Sequence, residues 1–485
     1  MATERRSRRE RALALFMAHQ SAMHLATAAG LTVALPTMMA EFHADIATVI
    51  WVQLAYSVAL AGGTIPLGQL DTLLGRRTLI LVGIAADLVL MLVTCVTGSI
   101  YVVIVARFLS ALVRTPPWLY LQLLSIGSYP AEERGKALGL TKLAQGAALV
   151  VAVPLTGWVT DHWGWRWMFL GTAAIWAVLL VAVWRLVPAD EPAPTRGRGL
   201  SRLANVDVLG GLLLMSGVIG VVAALQTFAK GQPSPPGIAA GALGVVALVA
   251  FVGQERRARA PILLWSLFGV RDIFVSAAQA FFLGFANGVV VLLLPFLFIK
   301  GYAWTAAYSG VVLLFLNLPR PPAGLLGGWL ADRYGSRNVI APAALAVLAG
   351  QLLLAGLGLA PPLAMIVAAL LLLGLGDALA TTANLRQIFS AMPRAHLQLA
   401  PGTNLVLSLL GATVGQAFVA AALELGGVAS AAGVGEAALV SAAATLLLAT
   451  SALFVVGMAV AQVLPGLVPA LGRELPPVGA GRSVE

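Results

Sequence analysis

Residues Gly68–Arg77 read GQLDTLLGRR, and residues Gly328–Arg337 read GWLADRYGSR. Both are short, charged, glycine-bearing loops set between apolar runs of about 20 residues, the length that crosses a bilayer as a helix. The glycines permit a tight turn between two helices at small steric cost. An acid in such a loop suits the positive end of the next helix, and the arginines can bridge to it or face anionic headgroups. One copy alone reads equally as a topology marker or as a breakable latch between helix ends. Two copies at equivalent places mark an internal duplication and favour the latch, above all at Asp332 and Arg333.

Outward from these loops the whole chain is apolar. Of 485 residues 60% are hydrophobic and 10% are charged, against about 25% charged in soluble domains. So much apolar surface requires a lipid solvent. The runs do not alternate with the short period of barrel strands, so the expected class is all-α. A single cysteine, Cys95, excludes an intrachain disulfide and a cysteine-pair metal site, and no metal or cofactor is expected. The net charge of +10 does not gather on one soluble face, which argues against nucleic acid as a partner. The basic start, MATERRSRRER, resembles that of an export signal, but the apolar stretch behind it is too long for a cleaved core and reads as a retained span.

Fourteen spans are expected, near 12–36, 47–68, 78–98, 100–123, 137–158, 165–187, 207–228, 236–254, 273–298, 306–327, 338–359, 361–384, 401–423 and 438–464. With a cytoplasmic N-terminus, 23 of the 30 Lys and Arg fall inside, three outside (Arg166, Lys230, Lys300) and four within spans (Arg107, Arg114, Lys142, Arg320). That bias satisfies the positive-inside rule and puts both termini in the cytoplasm of a multi-pass inner-membrane protein. The expected organisation is a tail (1–11), a six-helix bundle (12–187), a linker (188–206), two extra helices (207–254), a second six-helix bundle (255–464) and a tail (465–485).

At these loops the chain resembles the major facilitator superfamily, in its fourteen-span drug:proton antiporter branch. The family loop is G-x-L-x-D-R-x-G-R-R. The second copy matches at Gly328, Leu330, Asp332, Arg333, Gly335 and Arg337. The first matches at Gly68, Leu70, Gly75, Arg76 and Arg77, with its acid, Asp71, one place early. WVQLAY (Trp51–Tyr56), VALP (Val33–Pro36) and WRWMF (Trp165–Phe169) also look like parts of this branch. The resemblance implies alternating access between two halves and a proton-relay or gating role for Arg107. The branch usually carries an acid in the first span, where this chain has Thr27, and an asparagine where it has Thr32. Of the fifth-span element G-P-x-x-G-G it keeps Pro154 and Gly157 in VPLTGW, as helix-packing residues.

Ionisable groups inside spans are costly, so each is a functional candidate. Asp377 and Asp87 are candidates for proton coupling, each against the alternative of a satisfied structural acid, and Arg107 against that of a structural arginine. His24, three residues before Thr27 and on the same helix face, is a candidate substitute for the missing acid, or else a packing residue. Arg114 in VRTPPW and Arg320 in LPRPPA stand beside prolines, which kink or break helices. They are expected either to line the cytoplasmic half of a central cavity, with Thr27 and Thr32 as further lining candidates, or to snorkel to the headgroups. No phosphate loop, metal cluster or nucleophile–base set is present in the sequence, which disfavours an enzyme. The expected function is proton-coupled export of amphipathic small molecules, such as antibiotics, by a monomer in contact with lipids. The alternative is an uncoupled facilitator, or an exporter of a lipid or anionic metabolite.

Overall fold

A computed structural model describes residues 13–20, 28–68, 70, 75–129, 134–187, 207–229, 234–258, 261, 263, 268, 270–393, 396, 400–425 and 436–467. Among these residues every regular element is helical, as uninterrupted apolar sequence in lipid requires: only internal hydrogen bonding satisfies the backbone there. The helices are α1 (Ala28–Glu41), α2 (Ile46–Gly68), α3 (Arg76–Val96), α4 (Ile100–Gly127), α5 (Arg134–Trp163), α6 (Arg166–Leu186), α7 (Val208–Ala229) and α8 (Pro235–Glu255). They continue with α9 (Arg271–Phe296), α10 (Ala306–Asn317), α11 (Arg320–Tyr334), α12 (Ser336–Ala355), α13 (Leu363–Ala391), α14 (Ala400–Leu425) and α15 (Glu436–Leu467).

Thirteen helical stretches among the described residues are long and apolar enough to cross a membrane, with α10 and α11 counted as one. The first expected span is described in two pieces, 13–20 and α1. The helices fall into two sets with matching neighbours. In the first, α1 packs on α5, α2 on α4, and α3 on both α4 and α6. In the second, α9 packs on α14, α10 and α11 on α13, and α12 on both α13 and α15. Shifting the span number by eight turns one set of contacts into the other, the spatial counterpart of the repeated loop. The sets meet along two seams, α2 against α14 and α5 against α10. The pair α7–α8 lies beside the first seam, with α7 touching both α2 and α14. Burial follows position: 89% of the α2 window is buried and 17% of the α8 window, so α2 is central and α8 is a lipid-facing outrigger.

The two double prolines behave differently. The span expected at 306–327 breaks between Asn317 and Arg320 and then runs on to Tyr334. By contrast α4 carries Pro116 and Pro117 inside one uninterrupted helix. Its neighbour α3 presents Gly83 there, where a Cβ would lie 2.5 Å from the Val113 carbonyl oxygen and 2.6 Å from the Pro117 ring. The missing side chain makes room for the ring and for the carbonyl that Pro117 leaves without its helical donor.

Candidate functional site

Among the described residues, Asp87, Arg107, Arg114, Arg320 and Asp377 fall into one cluster in each set, while the Lys142 side chain lies outside the description. On α4, Arg107, Ser110 and Arg114 are spaced three and four apart and share a face; on α3, Asp87 and Met91 do the same. Where these faces meet, Arg114 Nε donates to Asp87 Oδ2 at 2.5 Å and Ser110 Oγ donates to Asp87 Oδ1. Arg114 also reaches the Met91 sulfur, and its guanidinium lies 5.5 Å from the Trp176 ring. Trp176 in turn meets His19 edge-on. Both members of the ion pair are sealed, with 1% and 0% of the side chain exposed. Arg114 therefore does not snorkel, and its carboxylate partner lies within its own helical set. Arg107, also buried, donates from Nε to the Val52 carbonyl (3.4 Å) and stacks 4.4 Å over the Tyr56 ring, both on α2.

The second cluster forms where span ten breaks. At Gly374 a Cβ would sit 2.0 Å from the Leu316 carbonyl oxygen, so glycine lets α13 press against the end of α10. Three residues later Asp377 comes within 3.2 Å of Arg320 Nη2. The same nitrogen donates to Asn287 Oδ1 on α9 at 2.6 Å, and Nη1 donates to Asn317 Oδ1 at 3.3 Å. The Arg320 Nε is buried with no hydrogen-bond partner among the described residues. Leu283, Val290, Leu316, Val347 and Leu373 wall a cavity around these groups with room for about one water. Unlike the first pair this one is partly exposed, with 20% and 23% of the two side chains accessible. Its partner keeps Arg320, too, away from the headgroups.

The repeated loops are anchored within their own sets. Gly335 (φ 84°) ends α11 and opens α12. Asp332 accepts from Arg386 Nε on α13 at 2.5 Å, and Arg386 Nη1 reaches Ser336 Oγ at 3.5 Å. Arg333 lies 5.6 Å from both the Trp329 and Tyr334 rings. In the first copy Arg77 donates to the Trp184 carbonyl on α6, and the Gly68 carbonyl accepts from the Tyr120 hydroxyl. Gly75 and Arg76 start α3, Gly328 faces Thr382, and Arg337 begins a groove between α12 and α15. Thr32 is buried on α1. Gly157 faces α10, where a Cβ would lie 2.3 Å from the Ala306 carbonyl oxygen, and Pro154 packs near Gly310. His24, Thr27 and Asp71 lie outside the described residues.

Sequence reasoning passed over Asn287, Asn317, Ser110 and Arg386. For Ser110 and Asn317 a signal existed, since each sits one helical turn from a singled-out arginine. For Asn287 and Arg386 none did, because their partners come from other helices.

A model of the Major Facilitator Superfamily matches residues 16–416. The chain is 28% identical over 312 residues to the uncharacterized MFS-type transporter YhcA of Bacillus subtilis, covering 63% of this chain and 56% of that protein. It is 26% identical over 397 residues to the multidrug efflux pump LfrA of Mycolicibacterium smegmatis, covering 80% and 75%. The chain spans about half the length of several curated relatives that it matches. The backbone superposes on a bacterial homologue of the human peptide transporters PepT1 and PepT2 with a TM-score of 0.67, at 15% identity, over 96% of this chain and 99% of that one.

Proposed function

The chain belongs to the major facilitator superfamily, and on that premise we propose that it is a proton-coupled secondary exporter of amphipathic small molecules. It acts by alternating access between six-helix halves at 12–187 and 255–464, which are joined through the linker 188–206 and the extra helices 207–254. It sits in the inner membrane as a monomer, with both termini cytoplasmic, an orientation that the distribution of Lys and Arg supports. Export of drug-like compounds is supported by relatives such as the efflux pump LfrA.

The observation that carries proton coupling is the contrast between the two ion pairs. Asp87 is sealed and bonded on both oxygens, so it braces α3 against α4. Asp377 is partly open, borders a water-sized cavity and holds Arg320 at 3.2 Å. A proton reaching Asp377 competes with the guanidinium for the same carboxylate. Once Asp377 is neutral, Arg320 keeps its bonds to Asn287 and Asn317, and the carboxylate no longer holds a polar group of the cargo that it bound while open to the inside, so the cargo leaves outward. Reopening to the inside releases the proton there and restores the pair for the next cargo, so proton and cargo cross in opposite directions. Arg107, held on α2 from α4, links two helices of the first half and serves as a gating residue.

The test is flux in proteoliposomes under an imposed pH gradient, using puromycin, lincomycin and a long-chain fatty acid as probes. At least one probe should move faster with the gradient, and Asp377→Asn should remove that acceleration while leaving passive exchange of the probe. Flux indifferent to the gradient rejects coupling, and a mutant as gradient-sensitive as the parent rejects Asp377 as the carrier.

A further inference from the structure

Two carboxylates at the outer ends of the seams take no part in the site above. Asp161, near the end of α5, accepts the backbone N–H groups of Ala306 (3.0 Å) and Ala307 (2.6 Å) in the first turn of α10. Glu424, near the end of α14, accepts the backbone N–H of Ala47 (3.2 Å) in the first turn of α2. Each bond crosses from one half to the other. The span shift of eight that relates the halves carries α5 onto α14 and α2 onto α10, so this is one contact made twice about a pseudo-two-fold axis.

The fine structure repeats as well. Each receiving helix has its own N-cap, which takes the third amide of the turn: Asp45 Oδ1 accepts from Thr48 (2.8 Å) and Thr305 Oγ1 from Tyr308 (3.1 Å). An N-cap side chain satisfies one of the amides that the first turn leaves open, and the others need partners from elsewhere. Here the second amide goes in both cases to an acid from the opposite half, and at α10 the first amide does too. A carboxylate at the positive end of a helix gains from the helix dipole as well as from the hydrogen bond. At the inner ends the same seams meet through apolar atoms: a Cβ on Gly402 would lie 3.2 Å from Ile65 Cδ1, and one on Gly146 2.3 Å from the Pro321 ring.

We propose that Asp161 and Glu424 are a paired outer latch, in which each half caps the second helix of the other and both caps must release before the central space opens outward. The latch rests on the alternating-access reading and adds to it the residues that set the balance between the two states.

The test uses spin labels at Gly98→Cys and Gly358→Cys in a Cys95→Ala background. These outer loops belong to opposite halves, and a Cβ at either position meets nothing within 4 Å. A second pair, Gly127→Cys with Ala391→Cys, reports the inner mouth. Losing a cap should raise the long-to-short distance ratio at the outer mouth about fivefold, and losing both should multiply the effects. Inner distances should shorten at the same time, whereas general loosening would lengthen both pairs. Asp161→Ala/Glu424→Ala is the full test. If that variant does not fold, Asp161→Asn/Glu424→Gln serves instead, since it keeps an oxygen acceptor but loses the charge and should give a smaller shift in the same direction. Unchanged outer distances, or lengthening at both mouths, overturn the latch. If the parent itself never shows two outer distances across pH and added probe, alternating access fails; two distances in the parent that the variants do not shift remove the latch alone.

Discussion

Asp87 and Asp377 are both carboxylates inside the bilayer with an arginine partner, yet their surroundings differ, and the proposed mechanism gives them different work. Asp87 and Arg114 are sealed, and removing one partner leaves an uncompensated buried charge at a cost of roughly 3–5 kcal/mol. Asp87→Asn should therefore lower the thermal midpoint of purified protein by several degrees, as followed by tryptophan fluorescence. Asp377→Asn, at a partly open pair beside water-sized space, should leave the midpoint close to the parent's while removing coupling. Equal losses of stability would contradict the division of roles. The charged residues were legible in the sequence because a charge within an apolar run stands out on sight. Their pairing was not: Asp87 finds Arg114 and Asp377 finds Arg320 only once particular helix faces are in contact, and face orientation is set by packing. In the same way Arg386 read only as a cytoplasmic charge until α11 and α13 brought it to Asp332.

Helices were legible as apolar runs, though hydropathy marks the lipid boundary and hydrogen bonding marks the helix end. Thus α13 was expected to stop near 384 and continues to Ala391, carrying Arg386 on its polar extension. The prolines show where local chemistry gives way to a neighbour, since Gly83 accommodates the double proline of α4 while span ten breaks. The close approach of α5 to α10 depends on Gly157 in the same way. Gly157→Val puts its Cβ against the Ala306 carbonyl and should force the outer seam apart, at a cost of about 1–3 kcal/mol typical of overpacking. Gly171→Val, where a Cβ meets nothing within 4 Å, is the matched control. The measurement is flux with outer-mouth spin-label distances: the Gly157 variant should transport more slowly and sit more open outside, and the control should match the parent. A Gly157 variant with parental flux and distances would show that the seam tolerates the insertion.

At the scale of the molecule, the duplicated loop foretold two related sets of helices, and the contacts repeat under one shift of span number. The sequence did not say where the extra pair would go; α7 proves to lie against both α2 and α14, beside a seam that parts in the proposed transport cycle. Those seams touch at several depths: Ala47 to Glu424 at the outer end, Ser57 to Gln416 midway and Ile65 to Gly402 at the inner end. Export by alternating access requires them to part at one end at a time. Ile65→Cys with Gly402→Cys, in a Cys95→Ala background, places two thiols across the inner end of one seam, where a Cβ at 402 would lie 3.5 Å from Ile65 Cγ1. The decisive measurement is gradient-driven flux of this variant in proteoliposomes, first oxidised and then reduced. The predicted result is flux lost on oxidation and regained on reduction; undiminished flux with the seam covalently closed would contradict movement of the halves as the basis of transport.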